Sequence, residues 1–242
     1  MKKYINKNII LNTIINFTFM ILIEIIFKIV NFFNLIDISS IRIILGSFII
    51  SFIISSIEYF IPKKLHKYIN ILFIFVCSFY SWLETGFNNF IGVYMSFGTS
   101  SQLGAVIDYI REFVLSFKWY YYFTMLPFIL IILYYIFYDK KIKNKYKINI
   151  SKNNYKLLDK TIFVKKILLS FMFLNIISSL YLITVFAPFM QNKLQVVKTK
   201  ELLINPSVPS ITVKQYGIVG FGILDVKHYL FPTNESYEYN VD

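Results

Sequence analysis

Long apolar runs, separated by short charged segments, dominate the hydropathy pattern of this chain. Crossing a bilayer takes about 20 mostly apolar residues in a helix, because the backbone groups must bond within the helix itself. The runs that qualify cover residues 9–33, 41–61, 68–83, 119–138 and 167–189. The pattern therefore predicts an all-α membrane protein, with a five-helix transmembrane domain over residues 1–190.

The lysines between these runs predict how the helices are oriented. Lysines precede the first run and separate the second from the third, and ten lie in residues 140–166 between the fourth and fifth. With five spans, all three segments lie on one side, and an excess of lysine and arginine marks the cytoplasmic side. We therefore expect a multi-pass protein of the cell membrane with its N-terminus in the cytoplasm and its C-terminus outside. The ten-lysine loop has an alternative interpretation as a patch for anionic lipid head groups.

Residues 101–117 show a different periodicity. Apolar residues recur three and four positions apart, and Asp108, Arg111 and Glu112 lie on the opposite face. Such a helix is amphipathic and too polar on one side to cross the hydrocarbon core. We expect an interfacial helix on the extracellular side, or alternatively a helix packed beneath an external domain.

From residue 191 onward the chain becomes polar and contains prolines that interrupt it. A helical pattern resumes over residues 213–229. One face of that pattern carries Tyr216, Val219, Ile223, Val226 and Leu230. Glycines lower the intrinsic helicity here, so the helix needs a partner surface, and Tyr216, Gly217 and Asp225 are the candidates for this packing. Residues 191–242 are therefore predicted to form a short extracellular helical linker.

Composition supports the membrane class and narrows the source. Hydrophobic residues make up 57% of the chain and aromatic residues 19%, which is too apolar for an ordinary soluble domain. The net charge of +12 sits at the ends of the apolar runs, so we expect no nucleic-acid partner. Cys77 is the single cysteine, which excludes an intrachain disulfide. Alanine occurs only at Ala105 and Ala187, a bias that AT-rich codons produce, so we expect a low-GC bacterium.

Charged residues inside the apolar runs are the main candidates for chemistry. Glu24 and Lys28 lie four residues apart in the first run, where they can form an intramembrane ion pair. This pair is interpreted either as part of an ion or substrate path or as a neutralised structural pair. Glu58 and Glu84 lie near the ends of runs, where we expect them to reach water.

No complete active site is recognisable in this sequence. Asp225 and His228 are one helical turn apart, but two ligands are too few for a metal site, and a surface histidine beside an aspartate is the alternative. The sequence contains no glycine-rich phosphate loop and no nucleophile elbow. We therefore assign no catalytic, cofactor-binding or metal-binding residues to this chain.

Several short segments occur in an order that resembles one family. They are Phe87-Asn88-Asn89-Phe90, Tyr94-Met95-Ser96-Phe97-Gly98-Thr99, Asn205-Pro206, Lys214-Gln215-Tyr216-Gly217 and Asp225. Together with the basic loop before the last run, this arrangement resembles the N-terminal membrane portion of lipoteichoic acid synthases and related phosphoglycerol transferases of the sulfatase superfamily.

The resemblance implies that the helices anchor an extracellular transferase domain used in cell wall biogenesis. Such a domain moves glycerol phosphate from phosphatidylglycerol to a growing polymer, using a threonine nucleophile and a divalent cation, typically manganese. No such domain lies within this sequence, so no catalytic residue carries over. The chain is interpreted as a fragment, a truncated product or a stand-alone membrane domain. Its expected partners are the lipid bilayer, an anionic phospholipid such as phosphatidylglycerol, and a catalytic extracellular domain.

A small multi-pass transporter or permease subunit is the alternative function. Glu24 and Lys28 inside the first run, and Pro127 inside the fourth, suggest it. No inverted repeat is recognisable in the sequence, which favours the anchoring role.

Overall fold

The described part of this protein is built from helices. A computed structural model describes residues 2–58, 61–97, 109–146, 160–187, 190 and 197–232, and in these ranges it describes side chains except at 2–10, 63–64, 110, 138–146 and 160–170. The helices are α1 (Lys2–Val30), α2 (Ile38–Glu58), α3 (Lys63–Ile91), α4 (Ile110–Leu115), α5 (Leu126–Tyr146), α6 (Lys160–Phe186), α7 (Thr199–Ile204) and α8 (Pro209–Leu230). A 3-10 helix, Trp119–Met125, leads directly into α5.

Four segments of the described residues are long and apolar enough to cross a membrane. They are Leu11–Val30, Ile38–Glu58, Leu65–Ile91 and Trp119–Phe137. These segments correspond to the first four predicted runs, so the all-helical class and the membrane location are confirmed. In α6, the apolar part found among the described residues is the shorter Phe171–Phe186, and a fifth span stays a prediction.

The third span is longer than its hydropathy indicates. The sequence predicts 68–83, whereas α3 covers 29 residues and ends at Gly92, whose φ is 83° and whose N–H donates to Asn88 O at 3.0 Å. Polar residues in the last turns of α3 face other helices, as Glu84 and Thr85 do with 3% and 1% of their surface exposed. A hydropathy pattern treats such residues as the end of a span, although they lie inside the bundle.

The two faces of α2 show that the surroundings of the bundle are apolar. Serines lie on the buried face: Ser39, Ser47, Ser51 and Ser55. Isoleucines lie on the exposed face: Ile41, Ile44, Ile53 and Ile57. In water the reverse arrangement is expected. Small hydroxyl residues between helices and large aliphatic residues outside are typical of helices that pack within a lipid bilayer.

α8 packs inside the bundle. Ile218 and Phe221 of α8 are fully buried and belong to the same hydrophobic core as Met20 and Ile23 of α1 and Ile74 of α3. Residues 209–230 are therefore part of the helical bundle and are not a separate linker, so the boundary predicted at residue 190 does not divide this core. The sequence pattern misses the insertion because charged residues in α8 have their partners on other helices.

A break in α8 changes which residues face the core. Gly217 has the non-helical angles φ 77° and ψ 172°, so the two halves of α8 are not in helical phase. Tyr216 and Val219 of the predicted apolar face are buried, whereas Ile223 and Leu230 are 49% and 60% exposed. The single continuous face predicted from the sequence is wrong because it assumes an unbroken helix.

The predicted interfacial helix is described in part, since residues 101–108 lie outside the described residues. The remainder forms the short helix α4. Phe113 stacks on Phe87 of α3 with ring centroids 4.8 Å apart, and Phe117 lies 4.7 Å from Trp82. These ring contacts attach the segment to the last turns of α3. A position at the membrane interface stays a prediction.

Candidate functional site

The break in α8 leaves backbone donors without helical partners, and Glu24 of α1 satisfies two of them. Its carboxylate oxygens accept the N–H groups of Ile218 and Val219, each at 3.0 Å. Glu24 is only 3% exposed. The first N–H groups of a helix lie at the positive end of its dipole, where a negative charge is stabilised. Glu24 therefore caps the second half of α8 from another helix.

Arg42 of α2 satisfies acceptors on the other side of the break. Its Nη1 donates to the backbone oxygen of Gln215 at 3.2 Å and to the Oε1 of the same residue at 2.6 Å, and its Nη2 donates to Thr184 O of α6 at 2.7 Å. The guanidinium also lies 5.5 Å from the ring centroid of Tyr216. Because the end of a helix is the negative end of its dipole, a cation is favoured there. We call Glu24, Arg42, Gln215, Tyr216 and Gly217 the helix-break site.

Position 217 in the helix-break site requires glycine. Its φ of 77° lies in the left-handed region, and a Cβ built there would collide with the carboxylate of Glu24. Glu24 precedes the end of its span at Val30 by about 9 Å, at 1.5 Å per residue. Irregular backbone at such a depth is tolerated only where protein buries it. The two charges and the glycine therefore make the break stable inside the bundle.

Lys28 has a different partner from the one predicted. Its Nζ lies 3.4 Å from Asp37 Oδ1 and donates to Ser40 Oγ at 2.9 Å. Among the described residues, the predicted Glu24–Lys28 pair is thus divided between the helix-break site and the loop that joins α1 to α2. Burial acts to raise the pKa of Asp37, but hydrogen bonds from Ser39 and Ser40 and the charge of Lys28 outweigh it, so the pKa is lowered.

Asp225 holds the segment that follows α3. Its Oδ1 accepts from Ser96 Oγ at 2.5 Å, and its Oδ2 accepts from Phe97 N at 2.6 Å. Glu84 of α3 accepts the neighbouring N–H, that of Met95, at 2.8 Å. Asp225 is 1% exposed and Glu84 is 3% exposed, so the expectation that Glu84 reaches water is wrong. We call these five residues the loop clamp.

Tyr94 connects the loop clamp to the core. Its side chain is 3% exposed, and its ring centroid lies 6.0 Å from that of Phe27. Its hydroxyl donates to Asn31 Oδ1 at 3.4 Å. Burial and the nearby charge of Glu84 raise the pKa of Tyr94, so the hydroxyl stays a hydrogen-bond donor. The stretch from residue 94 to residue 97 is thereby held by α1, α3 and α8 together.

A cavity of about 140 Å³ lies beside the helix-break site. Gly46 and Ile50 of α2, Tyr181 of α6, and Val219 and Ile223 of α8 are among its lining residues. Glu24 also reaches the lining, but both of its oxygens already accept backbone N–H groups. The remaining lining is mostly apolar, so the cavity suits an apolar group better than an ion.

The chemistry of these sites is that of structural hydrogen bonding. Among the residues that the structure describes, no group of three or more His, Cys, Asp and Glu side chains is arranged to hold a metal ion. The oxygens of Asp225 bond to the loop clamp, and Nδ1 of His228 is buried without a hydrogen-bond partner. No family model, curated protein or solved structure matches the chain.

The structure brings together some predicted residues and adds others. Glu24, Tyr216 and Gly217 meet at the helix-break site, whereas Asp225 lies in the loop clamp. Arg42 is absent from the predicted site residues because it lies in the first turns of α2, where a charge resembles the flank of a span. A signal that could have revealed it is the pairing of a buried arginine in one apolar helix with a glutamate in another.

Proposed function

We propose that this chain is the membrane-anchoring and positioning domain of a lipoteichoic acid synthase-like phosphoglycerol transferase. The observation that carries the proposal is the attachment of α8 to the bundle. Glu24 and Arg42 hold its middle, and Asp225 holds its second half. A domain that follows residue 232 would therefore be connected to the membrane through a helix with a fixed position.

The order of sequence segments also supports this function. The segments that resemble the family include Tyr94 to Phe97, Gln215 to Gly217, and Asp225. The same residues form buried polar contacts at the loop clamp and the helix-break site. Under this proposal, the similar residues are those that hold α8 in place. A divalent cation such as manganese belongs to the catalytic domain and not to this chain.

The proposal includes five spans with the N-terminus in the cytoplasm and the end of α8 outside. The fifth span would be α6, whose described apolar part is Phe171–Phe186. Reporter fusions near Lys145 and after Asp242 test this topology. We expect a cytoplasmic signal from the first fusion and an external signal from the second. Signals from the same side would contradict five spans.

Anchoring is tested with a full-length relative that carries the catalytic domain. Deleting the part equivalent to residues 1–190 should release the external domain from membranes, while a matched deletion of part of the loop equivalent to residues 147–159 should leave it bound. We expect the released domain to appear in the soluble fraction after cell lysis. Retention of the truncated protein on membranes as firmly as the full-length one would contradict the anchoring role.

A small transporter is the second candidate, and the broken helix favours it. Transporters place helix breaks near the middle of the membrane, where the free N-terminus of a half-helix binds an anionic substrate. At the helix-break site this position holds the carboxylate of Glu24. The protein supplies its own anion, which favours the structural role over transport.

Flux in reconstituted vesicles distinguishes the two functions. A transporter should lose flux of its substrate when Glu24→Gln is introduced, whereas the exposed substitution Glu112→Gln should leave it unchanged. For an anchoring domain, vesicles with and without the protein should show the same leak of small anions and cations. Protein-dependent flux that Glu24→Gln abolishes would favour the transporter.

A further inference from the structure

A second cluster of buried polar side chains joins α1, α2, α3 and α5 at the end of the bundle away from the loop clamp. Asn12 Nδ2 donates to Glu58 Oε2 at 2.6 Å. Asn16 Nδ2 donates to Asn70 Oδ1 at 2.8 Å and to a serine of α2, and Asn70 Nδ2 donates to Tyr135 OH at 2.7 Å. We call these side chains, with Ser55, the amide cluster. Neither the proposed function nor the helix-break site involves it.

Two oxygen atoms in the amide cluster have no hydrogen-bond partner. They are Oε1 of Glu58 and Oδ1 of Asn16, and both residues are 0% exposed. The two side chains are close enough for Asn16 to influence the carboxylate of Glu58. The amide nitrogen of Asn16 donates to Ser55 and Asn70, so its oxygen is left for another partner. Buried acceptors without partners are costly, and one between two oxygens needs a positive centre.

The charge of the amide cluster indicates which ligand it would take. Glu58 contributes the single carboxylate, and its printed hydrogen-bond donor, Asn12, is neutral. His66 of α3 attracts Glu58 electrostatically, but its Nε2 is engaged with Ile61 O at 2.8 Å. Oxygen ligands suit hard cations. With one negative charge, a monovalent ion gives a neutral site, whereas a divalent ion leaves a buried positive charge.

We propose that the amide cluster is a binding site for an alkali cation such as Na⁺, with Glu58 Oε1 and Asn16 Oδ1 as its ligands. Ser55 Oγ supplies a further oxygen next to Asn16. Glu58 is the last residue of α2 and is followed by Pro62 and the lysines at the start of α3, so the ion would enter from the water at that end of the bundle. Bound there, it would join α1 to α2.

The test is ion-dependent thermal stability of the full chain in detergent at constant pH. NaCl or KCl replaces choline chloride at constant ionic strength. Because a ligand that binds only the folded state stabilises it, we expect a saturable rise in unfolding temperature of about 5 °C at one hundred times the dissociation constant. Glu58→Gln should abolish the rise. Glu24→Gln, which removes a buried carboxylate with both oxygens already bonded, should keep it.

A second variant keeps the proposal testable if Glu58→Gln does not fold. Asn16→Ala removes one ligand but retains the charge, so the half-saturating concentration of Na⁺ should rise about tenfold, the equivalent of one lost ligand contact. A rise that choline produces equally, that persists in Glu58→Gln, or that MgCl₂ reproduces at matched ionic strength would overturn the alkali-cation site. The absence of any saturable rise would also overturn it and indicate that the amides rotate to satisfy Glu58.

Discussion

The carboxylate of Glu24 occupies the space in which a side chain at position 217 would lie. A Cβ at Gly217 would approach Cδ of Glu24 to 2.6 Å, much closer than van der Waals contact. The same carboxylate accepts the N–H groups of the two residues that follow. The absence of a side chain at Gly217 and the presence of one at Glu24 are therefore parts of a single arrangement.

Gly217→Ala should destabilise the protein more than Gly92→Ala does. Both glycines have positive φ, 77° and 83°, but a Cβ at Gly92 would meet no atom within 4 Å. Backbone strain alone should cost about 1–2 kcal/mol at Gly92. At Gly217 the collision adds to it, for a total of roughly 3 kcal/mol or more. The free energy of unfolding in mixed micelles measures both.

A double-mutant cycle separates the collision from the strain. In a Glu24→Ala background the carboxylate is gone, so the further cost of Gly217→Ala should fall to that of Gly92→Ala. Equal costs of Gly217→Ala in the two backgrounds would show that Glu24 does not fill this space.

Glu24→Gln should destabilise the bundle even though it conserves shape. A glutamine has one acceptor oxygen, so one of the N–H groups of Ile218 and Val219 would face an NH₂ group. An unsatisfied buried donor and the loss of a charged hydrogen bond should together cost roughly 3 kcal/mol. Glu112→Gln, at an exposed position in α4, serves as the control and should cost little. Equal unfolding free energies for the two variants would contradict the capping role.

Arg42→Lys should not preserve the function of the arginine. The fork of Arg42 reaches oxygens on two segments, Gln215 of α8 and Thr184 of α6. A lysine ammonium is a single centre and lacks this planar geometry, so one segment would lose its donor at a cost of about 2 kcal/mol. Crosslinking of cysteines placed at Ile183 and Lys214 would report whether α6 and α8 separate. Unchanged crosslinking and stability would refute the bridging role.

Asp37 should make stability depend on pH in the acidic range. Its pKa is lower in the folded state than in the unfolded chain, so its stabilising contribution is complete above the unfolded value of about 4 and is lost as the pH falls through the folded pKa. The difference in unfolding temperature between wild type and Asp37→Asn should therefore shrink between pH 5 and pH 3. Ser179→Ala, on the exposed part of α6, should show no such trend. A difference that grows on acidification would contradict the prediction.

Asp225→Asn should loosen the segment from Met95 to Phe97. The asparagine amide replaces one acceptor that now binds Ser96 Oγ or Phe97 N. Amide exchange at Phe97 should become faster, about tenfold for each 1.4 kcal/mol of lost protection. Glu84→Gln affects the N–H of Met95 instead, so the two variants should protect different amides. Identical exchange patterns would show that the loop clamp does not act through these bonds.

The sequence is sufficient to predict the class of this protein and the approximate position of four spans. Bilayer hydrocarbon requires long apolar helices, so that requirement appears directly in runs such as 41–61 and in the span Ile38–Glu58. Charges such as Glu84 shortened the predicted third span, because hydropathy does not distinguish a buried polar residue from one in water.

The sequence also indicated that Glu24, Gly217 and Asp225 are special, since a charge in a span and a glycine in a helix both need compensation. Their partners came only from the tertiary structure. Glu24 and Ile218 are 194 positions apart, and periodicity has no information at that separation. Which charge meets which helix end depends on how the helices pack, and that packing is decided by side-chain shape and hydrogen bonding across the whole bundle.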